Sequence, residues 1–464
     1  MWAVSRQMIA VGFVLAGFGA VAARTAACGA EVDRPNLVFI LADDLGYGDL
    51  GCYGAPDIRT PRLDRLAAEG ILLTDCYANG SICSPTRAAL MTGRYQQRIG
   101  LEWAVFYGVH KQGLPPQEKS LARMLRDAGY ATAMAGKWHL GYDRDWGPNH
   151  HGFQRFFGLL GGNHHYFEHY DPKGRHDLFL DTEPIRVEGY STNLITEYAV
   201  KFLEAMKDRP FFLYVAFNAP PFPYQGPNDA HRLVTPKRGW LTGTRQTYVA
   251  MVESLDTNVG RILDALDASG LAENTLVVFT SDNGGMLPLS RNAPLSKGKG
   301  TLWEGGIRVP CIVRFPRRLP AGVRSAQVAV TMDWAATLAA LAWASPPPDR
   351  PFDGIDLLPI LSGRKPIQER TLFWRRSLDP YRKNVFVHRA VRHGKWKYID
   401  DPQGGRFLFD LSQDVAEKQN LIEAKPKLAD QLRRLLDAWE EDIDPPLYDQ
   451  WPKERPRVRP PRRG

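Results

Sequence analysis

Apolar residues in this chain gather in short unbroken runs rather than in a regular alternation. Residues 36–42 (NLVFILA), 130–135 (YATAMA), 210–217 (PFFLYVAF) and 275–280 (TLVVFT) are the clearest. Runs of this length, each followed by turn-forming residues, predict strands buried on both faces. Between them the period lengthens. Residues 60–70 (TPRLDRLAAEG) set Thr and then Pro ahead of leucines at helical spacing, with Gly at the end, which are the start and stop signals of a helix. Residues 120–129 read the same way, and residues 245–269 read as a long helix. Strands alternating with helices predict an α/β fold, a large and mostly parallel sheet sandwiched by helices.

The texture changes past Pro346. A loop-rich join is followed by short strands at 371–374, 385–391, 395–399 and 406–410, then a helix at 426–441 that opens with proline. This predicts a smaller C-terminal α+β subdomain with an antiparallel sheet. The expected division is a main domain over 34–345, the subdomain over 346–445 and a basic tail over 446–464. At the other end, residues 7–23 (QMIAVGFVLAGFGAVAA) carry no charge and follow Arg6. The run is short for a membrane span and ends in small residues, so residues 1–27 read as a signal peptide and the protein as secreted or periplasmic. Thr25-Ala26-Ala27-Cys28 is faintly like a lipoprotein cleavage box, but the leading Thr and Arg24 argue against a lipid anchor.

Composition narrows the function classes. With 44% hydrophobic and 24% charged residues the chain is globular. Its formal charge of +8 misleads, because residues 452–464 hold six Lys/Arg against one Glu. No zinc-finger cysteines or basic–aromatic platform accompany that tail, so nucleic acid is not an expected partner. Beyond Cys28, four cysteines remain (Cys52, Cys76, Cys83 and Cys311), too few for a disulfide scaffold. Cys52–Cys76 is the one pair worth considering, and sequence leaves it open.

The most informative segment is Cys83-Ser84-Pro85-Thr86-Arg87, continued by Ala88-Ala89-Leu90-Met91-Thr92-Gly93-Arg94. A lone cysteine in a secreted protein is commonly a buried hydrophobe or half of a disulfide. Here an arginine follows one helical turn on, so Cys83 and Arg87 can face one volume at a helix start. A reactive atom at a helix N-terminus beside a guanidinium suits a tetrahedral oxyanion. Elsewhere, Asp43-Asp44 follows one predicted strand and Asp282-Asn283-Gly284-Gly285 follows another. Singly these read as loop acids or a turn. Together they offer three carboxylates and an amide oxygen, a set suited to Ca²⁺ or Mg²⁺.

The cysteine segment resembles the modification signature of type I sulfatases, Cys-x-Pro-x-Arg continued by Leu-x-Thr-Gly-Arg. The resemblance runs from about residue 36 to 410 and is closest to the arylsulfatase A and N-acetylgalactosamine-6-sulfatase group. It implies an alkaline phosphatase-like fold and oxidation of Cys83 to formylglycine by a formylglycine-generating or sulfatase-maturing enzyme. It also implies one Ca²⁺ (or Mg²⁺) held by Asp43, Asp44, Asp282 and Asn283, with the modified Cys83 completing the shell. Gly136-Lys137-Trp138-His139-Leu140-Gly141 and Gly298-Lys299-Gly300-Thr301 are similar to further family blocks. They make Lys137 and Lys299 sulfate-binding cations and give His139 the proton of the aldehyde hydrate. The implied reaction is attack of one hydrate hydroxyl on sulfur, with the ester S–O bond breaking and the alcohol leaving, while Arg87, Lys137 and Lys299 offset charge on the sulfuryl oxygens. Loss of the second hydroxyl's proton to His139 then expels sulfate.

A sulfated polysaccharide or glycosaminoglycan is the implied substrate, with a galactose-type sugar. Aromatic and histidine residues at 162–170 (GNHHYFEHY) suit either a carbohydrate-binding wall or a packed loop. One block departs from the family. Its members read Ala-Pro-His-x-Pro, and this chain reads Ala219-Pro220-Pro221-Phe222-Pro223. Proline has no proton to give, so the leaving-group acid is open, with Lys299, His231 and His164/His165 as candidates. The departure keeps two alternatives in view, a phosphonate or phosphodiester hydrolase and a non-catalytic sulfoglycan-binding protein.

Overall fold

The computed structural model describes residues 34–106, 111–377 and 387–443. The expected signal peptide, Cys28 and the basic tail lie outside them. Five parallel strands form the centre of a ten-stranded sheet, in the spatial order Thr275–Ser281, Asn36–Ala42, Phe211–Ala216, Ala131–Lys137 and Arg155–Leu159. Asn36–Ala42 is paired on both sides, and every residue in it is buried. Its side chains divide by parity, as the pleat requires. Leu37, Phe39 and Leu41 join one core, and Val38, Ile40 and Ala42 join the other. Helices Cys83–Thr92, Leu121–Asp127 and Thr331–Leu341 cover the first face; Pro61–Ala68, Ser191–Ala205 and Arg245–Ala268 cover the second.

Each predicted strand and helix of the main domain is present within a residue or two, and two are capped as their sequences suggest. The Ser120 hydroxyl accepts from the Arg123 N–H, and the Thr244 hydroxyl from the Thr247 N–H. The sheet is mixed toward both edges: Cys311–Arg314 runs antiparallel to both Thr275–Ser281 and Ile71–Leu73, and Phe179–Leu180 runs antiparallel to Arg155–Leu159. Strands so short give too little pattern to read from sequence. Helix Thr331–Leu341 escaped for a different reason. All its residues but Ala340 are buried, so it has no polar face to betray a helical period.

The C-terminal prediction holds. Thr371–Ser377, Val387–His393, Trp396–Asp401 and Gly405–Asp410 form an antiparallel sheet in chain order. Helix Pro426–Asp442 buries Ala429, Leu432, Leu436 and Trp439 in a third core, shared with Trp374 and Tyr398 of that sheet and with Leu302 and Trp303. The open question about Cys52 and Cys76 is answered by geometry: Cys52, Cys76, Cys83 and Cys311 are all free thiols.

Candidate active site

Chemistry in such a sheet collects at the carboxyl ends of its parallel strands, and the predicted residues meet there. Asp43 and Asp44 leave the first strand, and Asp282 and Asn283 leave its neighbour. The two turns are stitched together: the Asp282 N–H donates to the Ala42 carbonyl at 3.1 Å, and the Asp44 N–H to Asp282 Oδ1 at 3.2 Å. Asp44 has φ +55°, a left-handed conformation that aspartate tolerates better than most residues. Cys83 is the first residue of its helix, every residue of which is buried. Carboxylate atoms of Asp43, Asp44 and Asp282 and Cys83 Sγ all lie within 4.8 Å of one another.

Three cations close around these carboxylates. Arg87 donates from Nε and Nη2 to Asp282 Oδ2 at 3.0 and 2.8 Å, and its Nη1 reaches the Lys137 carbonyl at 2.8 Å. Lys137 Nζ donates to both oxygens of Asp43 at 2.7 and 2.8 Å. Lys299 Nζ reaches Asp44 Oδ1 at 2.6 Å and stands 3.5 Å from Cys83 Sγ. Burial opposes ionisation of both Asp43 and Asp282, with opposite outcomes: at Asp43 it outweighs Lys137 and pushes the group up to about 7, while Arg87 and Lys137 hold Asp282 well below the carboxylate range. Burial likewise pushes the Cys83 thiol well above its usual range. At neutral pH Cys83 is therefore a protonated thiol and a poor nucleophile as it stands.

The donor set fits a hard divalent cation. Asn283 Nδ2 donates to Asp44 Oδ1 at 2.8 Å and to the Gly284 carbonyl at 2.9 Å, while its Oδ1 is buried with no hydrogen-bond partner. An orphaned amide oxygen beside three carboxylates, with no imidazole ligand among them, suits Ca²⁺ or Mg²⁺ better than zinc.

His139 completes the set. Its φ is +55°, its carbonyl accepts from the Ser84 hydroxyl at 2.8 Å, and its Nε2 lies 3.2 Å from the Val105 carbonyl. A carbonyl can only accept, so Nε2 carries the proton and Nδ1 is the basic nitrogen. Nδ1 is buried with no partner. Burial, then Lys137 and Arg87, hold the imidazole well below its ordinary pKa, so it rests neutral with Nδ1 unprotonated. Gly162 makes room for it: a Cβ there would sit 2.6 Å from His139 Cε1.

Sequence reasoning missed Ser84, Val105 and Gly162, whose importance lies wholly in what they touch. It also left the role of 162–170 open. His164 bonds the Asp177 carbonyl and the Ser191 hydroxyl, and His165 bonds Gln225. Both are buried and packed, and the geometry offers neither to the site as an acid. His231 is exposed. Pro221 lies in a loop held by its backbone, where the Tyr166 hydroxyl donates to the Asn218 and Pro221 carbonyls. Lys297 lies 3.8 Å from the centre of the Trp303 ring.

Comparison with known proteins agrees with this geometry. Residues 35–344 match the family model described as Sulfatase, and residues 298–444 match that of N-sulphoglucosamine sulphohydrolase, C-terminal. The chain is 38% identical over 397 residues to N-acetylgalactosamine-6-sulfatase of Canis lupus familiaris, covering 78% of this chain and 71% of that one. It is 35% identical over 463 residues to arylsulfatase A of Homo sapiens, covering 88% of each. Among solved structures, Ps i-CgsB in complex with k-i-k-neocarrahexaose superposes with a TM-score of 0.82 at 32% identity, over 89% of this chain and 94% of that one. A phosphonate monoester hydrolase of Agrobacterium radiobacter shares the fold, with a TM-score of 0.64 at 21% identity over 88% of this chain and 96% of that one. The chain belongs to the sulfatase family, on the alkaline phosphatase-like fold. It is a sulfuric ester hydrolase, of a family that uses formylglycine and a divalent metal. Among the described residues no helix is long and apolar enough to cross a membrane.

Proposed function

We propose that this protein hydrolyses sulfate esters of a sulfated polysaccharide or glycosaminoglycan, with formylglycine made from Cys83 as nucleophile and one Ca²⁺-like ion at Asp43, Asp44, Asp282 and Asn283. The observation that carries the reading is the convergence on Cys83 Sγ of two carboxylates, at 3.5 and 3.8 Å, and the Lys299 ammonium, at 3.5 Å. The similarity to Ps i-CgsB, solved with a carrageenan oligosaccharide, supports a carbohydrate substrate. The ion, when bound, supplies positive charge against the nucleophile and a sulfuryl oxygen.

The chain's own residues do the rest. Arg87, Lys137 and Lys299 place three cationic groups around one volume, where they orient the sulfate and offset charge that grows on its oxygens. His139 Nδ1 accepts a proton, and the Val105 carbonyl fixes the tautomer that lets it do so. Lys299 is the one candidate leaving-group acid that touches the site. Burial opposes its charge, but Asp44 and the groups beside it hold its pKa well above the ordinary lysine value. A proton held so tightly gives weak assistance, so turnover should fall steeply as the leaving alcohol becomes more basic.

The test uses protein from its native host. Mass spectrometry of the Cys83 peptide and a screen of defined sulfated saccharides should show formylglycine together with sulfate release. A peptide found wholly as thiol with activity intact defeats the nucleophile. Faster hydrolysis of an aryl phosphonate than of any sulfate ester defeats the substrate class.

A further inference from the structure

A second buried ionic cluster lies at the root of the loop that carries Lys299. Glu304 and Glu417 share one lysine: Lys397 Nζ donates to Glu304 Oε1 and Glu417 Oε1, both at 2.8 Å, and all three side chains are buried. Glu304 Oε2 accepts from the Tyr77 hydroxyl at 2.7 Å and Arg308 Nη1 at 3.1 Å. Glu417 uses its other oxygen differently. Oε2 accepts from the Ser296 hydroxyl and, at 2.7 Å, from the backbone N–H of Glu304. One carboxylate oxygen thus holds both ends of the 296–304 loop. The loop also closes on itself, the Gly305 N–H donating to the Ser296 carbonyl at 2.8 Å. Its far end carries Lys299 onto Asp44 and Cys83.

Two features say that Glu417 does more than fill space. It adopts φ +53°, a left-handed conformation that costs a glutamate energy. It also sits in the low-dielectric interior beside a second carboxylate, an arrangement that an apolar residue would avoid altogether. Both costs are met at a residue far along the chain, in the turn after strand Gly405–Asp410. The family match that covers the C-terminal region begins at residue 298, inside this same loop.

We infer that Glu417 is a positioning residue for Lys299: by clamping Ser296 and Glu304, the C-terminal region sets where the Lys299 ammonium meets the sulfate. The inference rests on the reading of Lys299 as a sulfate-binding cation. Displacing a catalytic group by about 1 Å can cost up to roughly 10²-fold in rate. Glu417→Gln keeps the side chain's size but must point its amide donor either at Lys397, losing that ion pair, or at the Ser296 and Glu304 donors, opening the clamp.

The experiment is a double-mutant cycle in the full-length, Cys83-modified protein. Glu417→Gln should lower kcat/KM for a sulfate ester by about 10- to 100-fold, and should weaken binding of inorganic sulfate in titration calorimetry. In a Lys299→Ala background the same change should cost less than about 3-fold in either readout, because the group it positions is gone. Equal losses in both backgrounds, or unchanged sulfate affinity in the Lys299-containing protein, overturn the inference. Ser296→Ala removes one hydroxyl from the clamp and should show the same non-additivity at about 3- to 10-fold, which keeps the test open if Glu417→Gln folds poorly. If the wild type releases no sulfate from any ester, the reading of the site fails, and the sulfate titration still decides the role of Glu417.

Discussion

Two buried clusters of charge lie at opposite ends of one loop, and they differ in what they leave unsatisfied. Around Glu304, Glu417 and Lys397, all four carboxylate oxygens have donors. Around Asp43, Asp44 and Asp282 the charges are as deeply buried, yet Asn283 Oδ1 and His139 Nδ1 lack any partner, and a thiol stands among the carboxylates. Burial and charge do not distinguish a site from a strut. The unused acceptors of this cluster do, because they stand beside a thiol and three carboxylates, where a ligand or a proton can meet them.

Breaking the two clusters should therefore give different phenotypes. The largest effect belongs to the site: Cys83→Ala should lower sulfate-ester turnover by about 10⁴-fold or more, with urea unfolding close to wild type. A comparable loss of stability would mean that Cys83 is a packing residue. Lys397→Met is the opposite case. It strands two carboxylates and should cost about 3–5 kcal/mol of unfolding free energy, read from the urea midpoint. Loss of activity without loss of stability would erase the distinction.

Ligand removal sharpens the contrast further. A divalent cation at about one hundred times its Kd should add roughly 2.7 kcal/mol of stability, and chelation should remove that gain together with activity. Asp282→Asn should abolish the gain, and Glu304→Gln should leave it. Full activity in a preparation shown by elemental analysis to be metal-free would refute the ion. Next in size, Pro221→His should raise turnover on sugar sulfates more than on nitrophenyl sulfate, by up to roughly 10²-fold. The loop is tied by the Pro221 carbonyl rather than by its ring, so the substitution should leave the backbone in place. An unchanged or lower rate on sugar sulfates would show that another residue already supplies the proton.

The smallest effect is a difference in acid behaviour. Burial opposes ionisation of Glu304, but Lys397, Arg308 and Arg392 outweigh it and hold the group at about 2. A carboxyl with a depressed folded pKa stabilises above its unfolded value, about 4.3, and loses that contribution as pH falls toward 2. The stability curve should steepen in that window, and Glu304→Gln should flatten it. An unchanged acid limb in the variant would place the stabilisation elsewhere.

Much of the site was legible because its residues sit in local blocks beside strands that are themselves plain. Asp43-Asp44 ends a run of seven buried residues, and Asp282-Asn283 ends another. The resemblance to sulfatases then supplied what local pattern could not, namely that these turns, Arg87, Lys137 and Lys299 share one volume. What stayed hidden is contact between distant segments with no pattern of their own. Glu417 lies 121 positions from Ser296, in a stretch between the predicted strand at 406–410 and helix at 426–441 to which the sequence assigns no element. Likewise, the histidines at 164 and 165 became packing residues once Asp177, Ser191 and Gln225 met them. A motif records which residues cooperate nearby; a buried network is a property of the closed fold.

Cys83 is 5% exposed, and that fact sets a deadline. Asp43 and Asp44 precede it in the chain, but Asp282 and Lys299, which help to enclose it, follow roughly 200 residues later. At about 5–20 residues per second of synthesis, that interval lasts on the order of 10–40 s. An enzyme that alters Cys83 would meet less obstruction during that time, before the Thr275–Ser281 strand docks beside Asn36–Ala42 and brings Asp282 to the thiol. The yield of active protein would then be set by a race between modification and folding. A chain that folds first would keep its thiol enclosed and unmodified.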